Sequence, residues 1–247
     1  MLASRLIAVL TLNDGVLFRT RNFVPDYRYT LNFVDAWSVD EIVLLDITRP
    51  GEGKRGNFLS VVSEFAEKCY VPLTAGGGIR TLEDVRILLS AGADKVSVNT
   101  QICSDPGFVT KIAESYGAQC VVASIDARKT AGGYEAYVEN GARATGLSPV
   151  EIAGIAERHG AGEILLTSID HDGSLEGYDC QLCREVADKT TIPILVCGGA
   201  GNWGHFLDGF NSGHASAVCT TNIYHFTESS IKSAKKYLQK KGVEIRE

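Results

Sequence analysis

Three carboxylates stand where apolar, strand-like runs give way to loops. Asp126 ends the run Cys120 to Asp126. Asp170 and Asp172 follow the run Glu163 to Ile169, with His171 between them and Gly173 next. Two carboxylates in different surroundings can divide the work of general acid and general base. His171 could shuttle a proton, although a lone loop histidine is more often simply solvated. The clusters Gly76-Gly77-Gly78 and Gly198-Gly199-Ala200-Gly201 also follow apolar runs, as do Asn99-Thr100 and Thr220-Thr221-Asn222. Glycines let backbone N–H groups close on an anion, and a following helix N-terminus adds positive potential. Tight turns also call for glycine, so either cluster alone is weak evidence. Two related pairs point to a ligand with a phosphate at each end. At the opposite ends of four runs stand Arg5, Glu41, Lys95 and Glu163, balanced in sign. Such charges could close into a ring of ion pairs. A buried ring costs desolvation and is a poor device for stability alone, which favours a gate or an interface.

The elements that must position these residues alternate along the whole chain. The β-branched runs are Arg5 to Thr11, Glu41 to Ile47, Tyr70 to Ala75, Lys95 to Asn99, Cys120 to Asp126, Glu163 to Ile169, Ile192 to Cys197 and Ala215 to Thr220. Between them apolar residues recur at helical spacing, as in Leu82, Val85, Leu88 and Leu89. Thr81 with Asp84, Ser104-Asp105 before Pro106, and Ser148-Pro149 with Glu151 read as helix starts. Eight strand–helix units in a chain of 247 residues predict a (β/α)8 TIM barrel, with an open doubly wound sheet second. The chain also repeats itself: Glu41-Ile-Val-Leu answers Glu163-Ile-Leu-Leu, and Pro72 with Gly77-Gly78 answers Pro193 with Gly198-Gly199. It therefore reads as two half-barrels forming one domain over residues 1–247. The same alignment sets Thr11 opposite Asp126, a hydroxyl where a pair of acids would need a second carboxylate. Strand alternation puts Arg5 on the face of Thr11 and Lys95 on the face of Asn99, both inward.

Composition narrows the remaining classes. With 45% hydrophobic and 22% charged residues the chain can bury a large core. A net charge of −6 argues against nucleic acid, and the basic stretch Lys232 to Lys241 reads as a solvated helical face. Leu6 to Leu12 is too short to span a bilayer, and Asn13-Asp14-Gly15 follows where a signal peptide needs small residues. Seven cysteines, an odd number, suggest reduced thiols and a cytoplasmic chain. Cys180 and Cys183 read as two positions on one helix. No metal cluster or cofactor fingerprint is visible, so neither is expected.

Met1-Leu-Ala-Ser-Arg-Leu-Ile-Ala, Leu44-Leu-Asp-Ile-Thr48, Gly76-Gly-Gly-Ile79, the stretch from Gly92 to Thr100, the stretch from Gly162 to Asp170, Asp172-Gly173 and Cys197-Gly-Gly-Ala-Gly201 resemble the cyclase subunit of imidazole glycerol phosphate synthase. The similarity runs over nearly the whole chain. It implies a partner glutaminase docked at the barrel's bottom, whose ammonia crosses the barrel to a phosphoribulosyl substrate at the top. On this resemblance Arg5, Glu41, Lys95 and Glu163 form the ammonia gate, and Asp94 lies at the glutaminase interface. Gly77, Gly78, Asn99 and Thr100 hold one phosphate. Gly173, Gly198, Gly199, Thr221 and Asn222 hold the other, with Thr167 and Asp172 completing the substrate contacts.

The departures from the family pattern carry information. The family's cyclase uses two aspartates; the second is Asp126 here, and the first is replaced by Thr11. Arg19 stands for the usual lysine, residues Thr20 to Tyr29 look shortened and rewritten, and Asn222 replaces a serine. In these features the chain is similar to cyclase paralogues found beside sugar amidotransferases in surface-polysaccharide (lipopolysaccharide) pathways. The expectation is an ammonia-conducting subunit in a heterodimer with a glutaminase, feeding amidation of an N-acetyl sugar. The alternative is an active cyclase, a lyase of histidine biosynthesis, with Asp126 working beside Asp172 or His171. A non-catalytic scaffold and a sugar-phosphate isomerase are more distant readings.

Overall fold

The computed structural model describes residues 3–28, 39–49, 53, 55–220 and 230–246. Eight parallel strands close on themselves: β1 (Arg5–Asn13), β4 (Glu41–Asp46), β5 (Leu73–Gly76), β6 (Lys95–Val98), β7 (Val121–Thr130), β10 (Glu163–Ser168), β11 (Ile194–Cys197) and β12 (Ala217–Thr220). β10 pairs with both β7 and β11, and β12 pairs with β1, so no edge is left open. Helices α1 (Arg55–Lys68), α2 (Leu82–Ser90), α3 (Thr100–Ser104), α4 (Gly107–Tyr116), α5 (Pro149–Arg158), α6 (Cys180–Ala187), α7 (Trp203–Asn211) and α8 (Ser230–Lys240) lie between and after the strands. This is the expected (β/α)8 barrel.

Side-chain caps read in the sequence or seen in the structure account for four of these helix starts. Thr81 and Asp84 form a reciprocal capping box on α2, and Ser148 with Glu151 does the same on α5, where Pro149 takes the first turn. Asp179 and Asn202 cap α6 and α7. The expected cap at Ser104-Asp105 does not form. Ser104 ends α3, its hydroxyl bonding back to the Thr100 carbonyl, and α4 begins without a side-chain cap.

Two hairpins interrupt the strand–helix alternation, and neither was expected. β2 (Val16–Arg21) and β3 (Val24–Arg28) follow β1, while β8 (Gly133–Val138) and β9 (Arg143–Ala144) follow β7. Asp14 and Gly15 both have positive φ, the geometry of a two-residue hairpin turn. β1 and β7 therefore run on past the ends assigned to them from sequence. The hairpins occupy matching places, each after the first strand of a half. Register agrees with the repeat: Ile7 aligns with Glu41 as Val122 aligns with Glu163, which makes Thr11 and Asp126 equivalent positions.

Alternation sorts the strand residues into two cores. The larger one lies between barrel and helices; the smaller, inside the barrel, holds Ile7, Val9, Val43, Val122, Leu165, Leu195, Ala217 and Cys219. The registers stack the inward residues in layers of four from alternate strands. Glu41, Lys95, Glu163 and Ala217 form a low layer, with Arg5 just beneath. Thr11 and Asp126 share a high one with Gly78 and Gly199. The first and last described segments meet below, where Ser4 and Ile245 form a parallel bridge and Ser4 N–H donates to the Glu244 carbonyl.

Candidate functional site

At the lower end of the lumen four side chains from four strands close a ring. The Arg5 guanidinium lies 2.5 Å from Glu41 Oε1 and 2.7 Å from Glu163 Oε1. Lys95 Nζ lies 3.0 Å from Glu41 Oε2 and 2.7 Å from Glu163 Oε2. Ala217, the fourth member of the layer, is small enough to leave Arg5 room. Their side chains are 4–16% exposed, so solvent screens them little. Burial alone would lower the Arg5 guanidinium's pKa, but Glu163 and Glu41 outweigh it and hold it above its ordinary value. Burial likewise pushes the Glu41 carboxyl up, and Arg5 and Lys95 overcome it, leaving Glu41 below its ordinary value.

Two aspartates brace the same end. Asp40 accepts the Leu6 N–H and pairs with Lys235 of α8 at 2.6 Å. Asp94 accepts the Leu73 N–H at 2.8 Å and is itself exposed. Above the ring the lumen is polar on one side. Ser97 and Ser124 are buried there, and the Ser97 hydroxyl has no hydrogen-bond partner. Gly76 makes room for it, since a Cβ at Gly76 would stand 2.6 Å from Ser97 Cβ.

At the upper end Asp126 is buried, and burial, then Asp172, pushes its carboxyl up to about 7. Asn99 Nδ2 donates to Asp126 at 3.2 Å and to the Ser124 carbonyl at 3.0 Å. Thr167 aligns with Asp126 on the neighbouring strand. Thr11, in the same layer, turns away from this chemistry: its hydroxyl donates to the Phe18 carbonyl at 2.5 Å.

The β2–β3 hairpin folds across the top onto the loop after β10. Asp172 accepts from Thr20 Oγ1 at 3.0 Å and from Phe23 N–H at 2.9 Å, and its carbonyl accepts from Asn22 N–H. Burial raises the Asp172 carboxyl above its ordinary value, against the pull of those donors and of Arg19. Gly173 lies against the Thr20 carbonyl, where a Cβ would collide. Arg19 pairs with Asp26 across the hairpin. The imidazole of His171 is not free in solvent; its Nδ1 meets the Gly177 carbonyl at 2.7 Å.

The glycine clusters sit as expected at the tops of β5 and β11. Gly77, Gly78, Gly198 and Gly199 all have positive φ. Gly199 has a packing duty as well. It presses on the Gly177 carbonyl where no Cβ fits, and its own carbonyl accepts the Gly177 N–H. Thr100 accepts the Glu139 N–H at the second hairpin. Thr221 and Asn222 lie outside the described residues. Among the described residues no cluster of three or more metal-ligating side chains occurs, and no helix is long and apolar enough to cross a membrane.

What the sequence reading missed is the tie between hairpin and Asp172. A signal for the hairpin existed in Asn13-Asp14-Gly15, read there only as an obstacle to signal-peptide cleavage. Compared with known families, the chain matches the model described as "Histidine biosynthesis protein" over residues 8–230.

Proposed function

We propose that this chain, which belongs to the histidine biosynthesis protein family, is the barrel subunit of a glutamine amidotransferase complex. A glutaminase docks on the lower end, beside Asp94, and ammonia passes the ring of Arg5, Glu41, Lys95 and Glu163 into the lumen. It leaves at the top for an acceptor reaction, the amidation of an N-acetyl sugar used in surface polysaccharide. One observation carries the reading: the charged ring is complete while the acid–base pair is not, because Thr11 stands for one acid and its hydroxyl is held by the Phe18 carbonyl.

The chemistry of the two ends supports this division. Ammonia is neutral and small, so a ring of balanced charge neither repels nor traps it, whereas ammonium would be held by Glu41 and Glu163. Release of one Lys95 contact opens the ring without baring an unpaired charge, since Arg5 still bridges both carboxylates. Beyond the ring, the Ser97 hydroxyl offers a hydrogen bond to a small polar guest. At the top, Gly77, Gly78 and Thr100 on one side and Gly173, Gly198 and Gly199 on the other would receive the two phosphates of a bound ligand.

A second reading has its own observation. Asp172 lies close enough to Asp126 to raise its pKa, so the two could serve as the acid and base of an active cyclase. The deciding experiment supplies the purified chain with ammonium chloride and the phosphoribulosyl substrate. No cyclase turnover is expected. Turnover at rates ordinary for enzymes would overturn the conduit reading, and Asp126→Asn and Asp172→Asn should then each abolish it.

A further inference from the structure

Two thiols face each other inside the barrel, and nothing in the function proposed above uses them. β11 and β12 align Leu195 with Ala217 and Val196 with Val218, so the next step sets Cys197 beside Cys219. Both follow the inward parity of Leu195 and Ala217; Cys219 belongs to the lumen cluster and Cys197 packs against it. Adjacent strands hold aligned Cα atoms about 4.8 Å apart, inside the roughly 4.4–6.8 Å range that a disulfide spans. The thiols also differ in access. Cys219 is fully buried, while Cys197 is partly exposed at the top of its strand, just before Gly198.

We propose that Cys197 and Cys219 are a reversible dithiol–disulfide site, oxidised by a small peroxide that enters from the top of the barrel. The Cys197 thiol gives up its proton and its sulfur attacks one peroxide oxygen, breaking the O–O bond; it becomes a sulfenic acid, and the departing hydroxide takes that proton and leaves as water. Cys219 sulfur then attacks Cys197 sulfur. The S–O bond breaks, the leaving hydroxide takes the Cys219 proton as a second water, and the S–S bond remains. The two thiols lose two electrons, and hydrogen peroxide gains them. Only a small oxidant fits, because neighbouring lumen positions are filled by Val9, Val43, Leu165 and Leu195. The consequence is mechanical. The bond fastens β11 to β12 where, among the described residues, their ladder has only two aligned pairs, directly beneath the loop Gly198 to Gly201.

The test treats the reduced full-length chain with hydrogen peroxide, blocks remaining thiols with an alkylating agent and maps the peptides by mass spectrometry. The expected product is a linked peptide pair containing Cys197 and Cys219, lighter by two hydrogen atoms and separated again by dithiothreitol. It should be absent from Cys197→Ser treated alike. Since Cys219 is buried and its replacement could disturb folding, the native chain's own map is the primary measurement. The proposal is overturned if peroxide that oxidises other cysteines leaves these two unlinked, or if Cys197 proceeds to sulfinic acid without a linked product. A link confined to Cys180 and Cys183 would overturn it too.

Discussion

Burial and the neighbouring Asp172 hold the Asp126 carboxyl near pH 7, far above an unfolded aspartate. Between about pH 4 and 7 the folded chain therefore keeps a proton that the unfolded chain has lost. Stability contributed by this group is full below about pH 4, falls by up to about 1.4 kcal/mol per unit as pH rises through the window, and levels off above it. Asp126→Asn should flatten that slope, which urea unfolding at pH 5 and pH 8 will measure; an unchanged slope would assign the titration elsewhere. Thr11 is tied to the hairpin backbone rather than to a ligand. Thr11→Val removes the hydroxyl's bond to the Phe18 carbonyl and should cost about 1 kcal/mol. Thr11→Asp should cost more, because a carboxylate there faces a carbonyl oxygen, and thermal unfolding of the two variants will rank them. That Thr11 stands opposite Asp126 was legible in the sequence through the internal repeat. The use made of its hydroxyl was not, since that depends on a strand the sequence reading left out.

The β2–β3 hairpin is an element with its own fastening. Its ties to the β10 loop run through Asp172, Thr20, Asn22 and Phe23. Thr20→Val removes one tie and should raise amide exchange across residues 16–28 by about fivefold to tenfold, equivalent to roughly 1 kcal/mol, while β5 to β7 stay protected. A uniform rise over the whole barrel would mean that the hairpin is not a separate unit. The parallel strands and capped helices were legible because each is set by local pattern: β-branched runs, and Thr81 or Ser148 with an acid three residues on. The hairpins escaped because β1 and β7 each serve two partners. Their first residues obey barrel register and their last ones pair antiparallel, so one apolar run carries two structural meanings. The cap expected at Ser104-Asp105 failed because Ser104 is already the last residue of the short helix α3.

Across the whole molecule, the lower ring ties β1, β4, β6 and β10 together through ion pairs. Lys95→Met leaves Glu41 and Glu163 sharing one cation and should cost about 3 to 5 kcal/mol. Adding Glu163→Gln should recover part of the loss, and a double variant no better than the single one would count against a coupled ring. Another feature of the lower end reaches further. The bridge between Ser4 and Ile245 brings the first and last described segments together at the seam between β12 and β1, while the 3-10 turn Ala118–Cys120 marks the matching seam between the halves. The order of the halves along the polypeptide is therefore not what defines this barrel. A circular permutant opened at Gly117, with the original termini joined by a few flexible residues, should reach the same architecture with the second half synthesised first.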